Sequence, residues 1–131
     1  MRSLMSRAVV PILVAAALML PAVSHAQEVV AQGAFSGASG HKTSGDVVVL
    51  KSAAGARVVL QSNFSFDGAP DPKVGFGAGG KYDRASQLAP LASNRDEQAY
   101  DVPAALDLTR YDEIYIWCER YSVPLGVAVL K

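Results

Sequence analysis

Cys118 is the only cysteine of the 131-residue chain, and it stands beside the only tryptophan, Trp117. One thiol cannot run a dithiol cycle. It can form a sulfenic acid or a mixed disulfide with a partner, or ligate haem iron as a thiolate. For ligation a second soft donor is needed. His25 and the methionines Met1, Met5 and Met19 all lie in an N-terminal segment with the marks of a cleaved leader, which leaves His41. A Cys118/His41 pair is therefore the one haem or copper hypothesis the residues allow. No CxxCH motif exists, so covalent c-type attachment is excluded. The plainer reading of Cys118 is a small core residue, because cysteine is among the most buried residue types. The plainer reading of His41 is an exposed or turn-stabilising histidine.

Other spacings suggest chemistry and fail on inspection. Gly75-x-Gly77-x-x-Gly80 matches the dinucleotide fingerprint, and Gly75-x4-Gly80-Lys81 matches most of a P-loop. Tyr82 replaces the magnesium-binding Ser/Thr, however, and no good helix follows to present its N-terminus to phosphate. A glycine turn is the better reading. Asp67 and Asp71 flank Gly68 and offer hard oxygens for calcium. Two carboxylates are too few, and Asp commonly stabilises turns through its own side chain. No Ser-His-Asp pattern or nucleophile elbow stands out. Trp117 and Tyr115 alternate with Cys118, so they point to the opposite face. They form either an aromatic binding patch or a packing surface against a second sheet, and the second fits a sandwich better.

The chain opens like a secretory signal peptide over residues 1–26. Arg2 and Arg7 make a basic start, Ala8 to Leu20 an apolar run, and Ser24-His25-Ala26 a small-residue cut site before Gln27. The apolar run is shorter than the roughly 20 residues of a spanning helix, so no membrane span is expected after cleavage. Residues 27–131 then form one domain, exported to the periplasm or the extracellular space. Twelve Lys/Arg face twelve Asp/Glu, and losing Arg2 and Arg7 leaves the domain mildly acidic. The lack of a basic block argues against nucleic acid or an anionic membrane surface as the main partner. One cysteine permits no internal disulfide, so the core alone must hold the fold, and an odd thiol in an oxidising compartment needs a reason.

Short strands separated by glycine and proline position these residues. Gln27 to Gln32 and Asp46 to Lys51 read as strands, with Ala53-Ala54-Gly55 a turn. Arg57 to Asp67 alternates, with Val58, Leu60, Phe64 and Phe66 on one face and Gln61, Asn63 and Ser65 on the other. Lys73 to Phe76 starts a short strand. Ser86 to Ala92 holds a short strand or a helical turn. Ala99 to Val102, Asp112 to Glu119 and Leu125 to Leu130 complete the strands, and Ala104 to Tyr111 contains a helical turn. The pattern predicts an all-β domain, a single small antiparallel β-sandwich or barrel.

Laid out in this order, the sequence resembles the DM-thirteen domain family, an electron-transfer domain of exported proteins. The resemblance runs from about Gly33 to Leu130. It is carried by Gly33-x-Phe35-x-Gly37 with His41 and Gly45, and by Asn63-Phe64-x-Phe66-Asp67-Gly68-x-Pro70-Asp71. It continues through Gln98-x-Tyr100-x-Val102-Pro103 and Tyr111. It closes with Ile114-x-Ile116-Trp117-Cys118 and Tyr121-Ser122-Val123-Pro124-x-Gly126-x-Ala128. Pro72 and Gly75-Phe76-Gly77 replace an aromatic-rich strand usual in the family, which points to a shorter or bulged strand there. The resemblance implies a β-rich fold and a redox role centred on Cys118, either directly or through a prosthetic group such as haem. The expected function is a small exported redox module, not a stand-alone enzyme, working with a redox or envelope protein partner. The alternative is a non-catalytic binding or envelope-structural domain with Cys118 as core filler.

Overall fold

Runs of β-branched residues broken by glycine and Asx turns favour short strands that pair antiparallel. The computed structural model describes residues 8–19 and 26–131. It contains eleven strands in chain order: β1 (Glu28–Gly37), β2 (Thr43–Ser44), β3 (Asp46–Ser52), β4 (Gly55–Leu60), β5 (Ser65–Phe66), β6 (Pro72–Ala78), β7 (Lys81–Tyr82), β8 (Ala89–Pro90), β9 (Gln98–Val102), β10 (Glu113–Cys118) and β11 (Val123–Val129). Two single-turn 3-10 helices, Arg84–Ser86 and Leu108–Arg110, are the only helical pieces among the described residues. Each begins at an aspartate, Asp83 or Asp107, whose side chain accepts the backbone N–H two residues on.

Nine strands form one antiparallel sheet in the order β7-β6-β10-β11-β1-β3-β4-β9, with β8 added to β6. Residues from both ends of that order meet in one apolar cluster. Val74 and Phe76 of β6 join Val58 and Leu60 of β4 and Tyr100 and Val102 of β9. A single sheet can do this only by curling, so the architecture is a half-barrel with β7 and β9 as unpaired edges. The small β2–β5 sheet is separate. It brings Phe66 to the core, and Phe64 beside it meets Phe35 edge-on at 5.5 Å.

The all-β expectation holds, and most strands fall where the pattern puts them. Three differ. Arg57 to Asp67 is not one strand: β4 ends at Leu60, and Phe64 N–H closes a turn onto the Gln61 carbonyl. The alternating face survives because Val58, Leu60, Phe64 and Phe66 are all buried. The strand after Pro72 is neither short nor bulged. It spans seven residues and keeps continuous register with β10, from Glu113↔Gly77 to Cys118↔Pro72. Ser86 to Ala92 holds both proposed elements, the end of a 3-10 turn and then β8.

The basic start and most of the cut site of the 1–26 leader lie outside the described residues. Ala8 to Met19 forms no helix or strand and is exposed throughout. No helix among the described residues is long and apolar enough to cross a membrane.

Candidate functional site

β10 is central, with β6 on one side and β11 on the other. Its even-numbered residues Ile114, Ile116 and Cys118 enter the core, each at most 1% exposed. Cys118 ends the strand. Its Sγ donates to the carbonyl of Pro70 at 3.4 Å. The turn carrying Pro70 lies over it, pinned by Glu119 N–H to the Asp71 carbonyl at 3.2 Å and by Lys73 Nζ to Asp71 Oδ1 at 3.0 Å. Pro70 and Asp71 face solvent, so the thiol sits beneath a single layer of chain. Asp71 holds the left-handed conformation at φ 49°, an unfavourable one for a non-glycine residue.

His41 belongs to a different arrangement. Its Nδ1 lies 2.9 Å from Asp67 Oδ1, and its ring tilts against Phe66 at 5.9 Å. Asp67 Oδ2 also accepts the Lys42 N–H at 3.0 Å. That backbone bond first, and His41 second, hold the Asp67 carboxyl below the ordinary Asp range. The group borders an open polar cleft of about 690 Å³ that includes Ser44, Ser65 and Arg95. Asp67 is therefore structural, as expected, but it fastens the distant His41–Lys42 loop and not its own turn.

Cys118 and His41 thus have separate partners, and no hydrogen bond or ring contact joins them. A haem needs an open apolar slot beside its axial ligand. Cys118 lines none of the five best-formed clefts among the described residues, of about 300–720 Å³, and is closed in by Pro70 and its strand neighbours. The residues around the sulfur do not fit a haem. Among the described residues no group of three or more His, Cys, Asp or Glu is placed to hold a metal.

The odd-numbered face of β10 builds a second site. Trp117 stacks on Tyr82 of β7, with centroids 4.4 Å apart and planes at 15°. Tyr115 meets both rings edge-on, at 5.5 Å from Tyr82 and 6.4 Å from Trp117. The sandwich expectation for this face is corrected: no second sheet covers Trp117, and the covering ring comes from the same sheet. Burial first, then the Glu113 charge, pushes the Tyr115 phenol up to about 12. Burial, then Glu119, raises Tyr82 further. Tyr82 donates to Gln87 Oε1 at 3.1 Å. Glu119 Oε1 pairs with Arg84 Nη2 at 3.1 Å. Two shielded polar atoms beside the stack have no protein partner, Trp117 Nε1 and Glu119 Oε2.

Glycines make this face. A Cβ on Gly75 would sit 2.7 Å from the Tyr82 ring, and one on Gly77 would overlap Tyr115. Of the three glycines that mimic a nucleotide loop, Gly75 and Gly77 are therefore not a turn, as expected, but gaps in β6 filled by aromatic rings, and only Gly80 lies in the turn that follows. Tyr82 and Pro70 were not legible as site residues. The available signal was the alternation Val74-Gly75-Phe76-Gly77, which has an apolar face and an empty one. No curated protein and no solved structure matches the chain. Residues 34–130 match the family described as Electron transfer DM13. That match takes in β10, its covering turn and the aromatic stack, and the chain belongs to the electron transfer DM13 family.

Proposed function

We propose that the protein is an exported redox module, acting in the periplasm or outside the cell, in which Cys118 is a guarded thiol. The observation that supports this reading is the hydrogen bond from Cys118 Sγ to the Pro70 carbonyl. It ties the thiol to an exposed turn at the end of a strand. Lifting that turn frees the sulfur and leaves the β10 ladder to β11 intact. A thiol closed in this way is protected from uncontrolled oxidation, which proceeds through accessible thiolate.

When the turn lifts, the reaction open to one thiol is exchange. Cys118 loses its proton to solvent, and its thiolate attacks a disulfide of a partner protein. One S–S bond forms, the partner's S–S bond breaks, and the partner's second sulfur leaves as thiolate. The partner must supply the resolving cysteine, so the domain works as a module within a redox pair and not as a stand-alone enzyme. The companion reading is an envelope-structural domain with Cys118 as filler. The 1% exposure of Cys118 and the apolar face it shares with Ile114 and Ile116 favour that reading.

Thiol labelling of the native protein across low denaturant concentrations separates the two. Guarded chemistry predicts labelling through a local opening, at a rate nearly independent of denaturant. Pro70→Gly should raise that rate about tenfold, as expected if the turn is loosened by about 1.4 kcal/mol, with little change in the unfolding midpoint. If labelling tracks global unfolding in both proteins, Cys118 is filler and the redox reading fails.

A further inference from the structure

The Trp117–Tyr82 stack is unexplained by Cys118 chemistry. Three observations coincide there. The two rings overlap face to face at 4.4 Å on the outer side of the sheet, both part-exposed at the surface. Trp117 Nε1 has no acceptor, and two residues on, Glu119 Oε2 has no donor. The other oxygen of Glu119 is fixed by Arg84, which also donates to Ser122 Oγ at 3.2 Å. A shielded indole N–H and a shielded carboxylate oxygen, each without a partner, are a mismatch that native structures seldom keep without a reason.

We propose that Trp117 is a one-electron site, with Tyr82 as its stacking support and Glu119 as the acceptor of its proton. The partner is a one-electron oxidant of high potential, such as the oxidised metal centre of another protein. The indole gives one electron to that oxidant and, once a rotation of the Glu119 side chain brings the unpartnered Oε2 to hydrogen-bond distance, its Nε1 proton to Glu119, leaving a neutral indolyl radical. Return of one electron and that proton restores the starting state. Each group fits its part. The π face of Tyr82 stabilises positive charge on the neighbouring ring. The Arg84 cation opposes lasting charge there, which favours proton loss together with electron loss. Tyr82 cannot take over as the proton-releasing group, because its hydroxyl donates to the amide oxygen of Gln87, a weak base. Trp117 is also joined through one peptide unit to Cys118, so the site reaches the covered thiol without opening the turn.

This inference rests on the electron-transfer reading of the domain but not on Cys118. Its test is flash photo-oxidation of the purified protein by a ruthenium polypyridyl complex, followed by transient absorption and electron paramagnetic resonance. The expected signal is the neutral indolyl radical, lost in Trp117→Phe. Glu119→Gln should slow deprotonation at least about tenfold, so that the protonated radical cation persists. Tyr82→Leu should shorten the lifetime of the cation seen in the Glu119→Gln background by roughly two- to tenfold. Deprotonation at the same rate in Glu119→Gln overturns the proposal, as does a radical confined to tyrosines while Trp117 is present. Cys118→Ala separates the two readings. An unchanged indolyl signal in that variant supports the site whatever native thiol labelling shows, and loss of the signal there, in a folded protein, shows that Trp117 does not act independently of Cys118 and overturns the proposal.

Discussion

The two faces of β10 carry residues of the same strand into opposite environments. Ile114, Ile116 and Cys118 enter a core shared with β3, β4, β6, β9 and β11. Glu113, Tyr115 and Trp117 enter a smaller aromatic cluster closed by β7. Glu113 and Tyr115 are buried like the residues opposite them, so exposure alone does not tell the faces apart. Polarity does. The inner face meets carbon almost everywhere, its one polar contact being Cys118 to Pro70. The outer face is bounded by Glu113, Glu119, Arg84 and Gln87, which hold hydroxyls and charges at the edge of the rings. A strand with both faces covered can therefore divide its work, with structure on one side and chemistry on the other.

That division should appear first as a difference in stability. Ile116→Ala empties a fully buried inner position beside Val74, its partner on β6. It should cost about 2–5 kcal/mol, the range for removing a buried aliphatic side chain. Urea denaturation measures the loss, and a cost below about 1 kcal/mol would mean that the inner face does not carry the fold. Next in size is Gly75→Ala, which acts on the other face only. Its new Cβ would press on the Tyr82 ring at 2.7 Å and push that ring away from Trp117. The expected cost is about 1–3 kcal/mol, with a red-shifted tryptophan emission as the indole becomes wetter. An unchanged emission would show that Tyr82 is not held over Gly75.

Smaller again is the effect at Cys118. Cys118→Ala loses the sulfur and its bond to the Pro70 carbonyl and should cost about 1 kcal/mol. Cys118→Ser keeps a donor but places a hydroxyl among apolar neighbours, so it should be no more stable than Cys118→Ala. A serine variant as stable as the wild type would mean that this position is wetter and more polar than the inner face around it.

The same contrast explains what could be read from residue order. The inner face was legible because period-2 alternation of Ile, Ile and Cys has one simple meaning next to other apolar strands. Curling of the sheet was not legible: it depends on which distant strands meet, as β4 and β9 meet β6 in the core, and no local pattern encodes that. The outer face was half legible. Tyr115 and Trp117 were placed opposite Cys118, but their cover was sought in a second sheet. The cover is Tyr82, which returns after a two-glycine turn, with Gly79 and Gly80 both at positive φ. A sequence rich in glycine there resembles a phosphate loop until the rings that fill the gaps are in place. His41 was visible as a lone histidine, while its partner Asp67, 26 residues away, depends on the pairing of β2 with β5.

The smallest effect predicted lies away from both faces of β10, at the Asp67 carboxylate, and it sets a baseline for them. Its proton affinity is lowered first by the Lys42 N–H and then by His41. A carboxyl whose folded pKa is depressed contributes stability that is fully present above its unfolded value, about 3.9. That contribution fades as pH falls through the lower folded value, where protonation removes the charge that the N–H and the imidazole favour. Asp67→Asn removes the titration while retaining an acceptor oxygen for Lys42. The variant should be slightly less stable than the wild type at neutral pH, and the two should converge on acidification below the folded value. Urea midpoints measured from neutral to strongly acidic pH give the comparison. Because Asp67 is at the surface, the difference should be small beside that of Ile116→Ala. A gap that stays constant into the acid range would mean that the carboxylate holds the His41 loop by shape alone. A gap that closes would show that charge fastens the loop, whereas apolar contact fastens the inner face of β10.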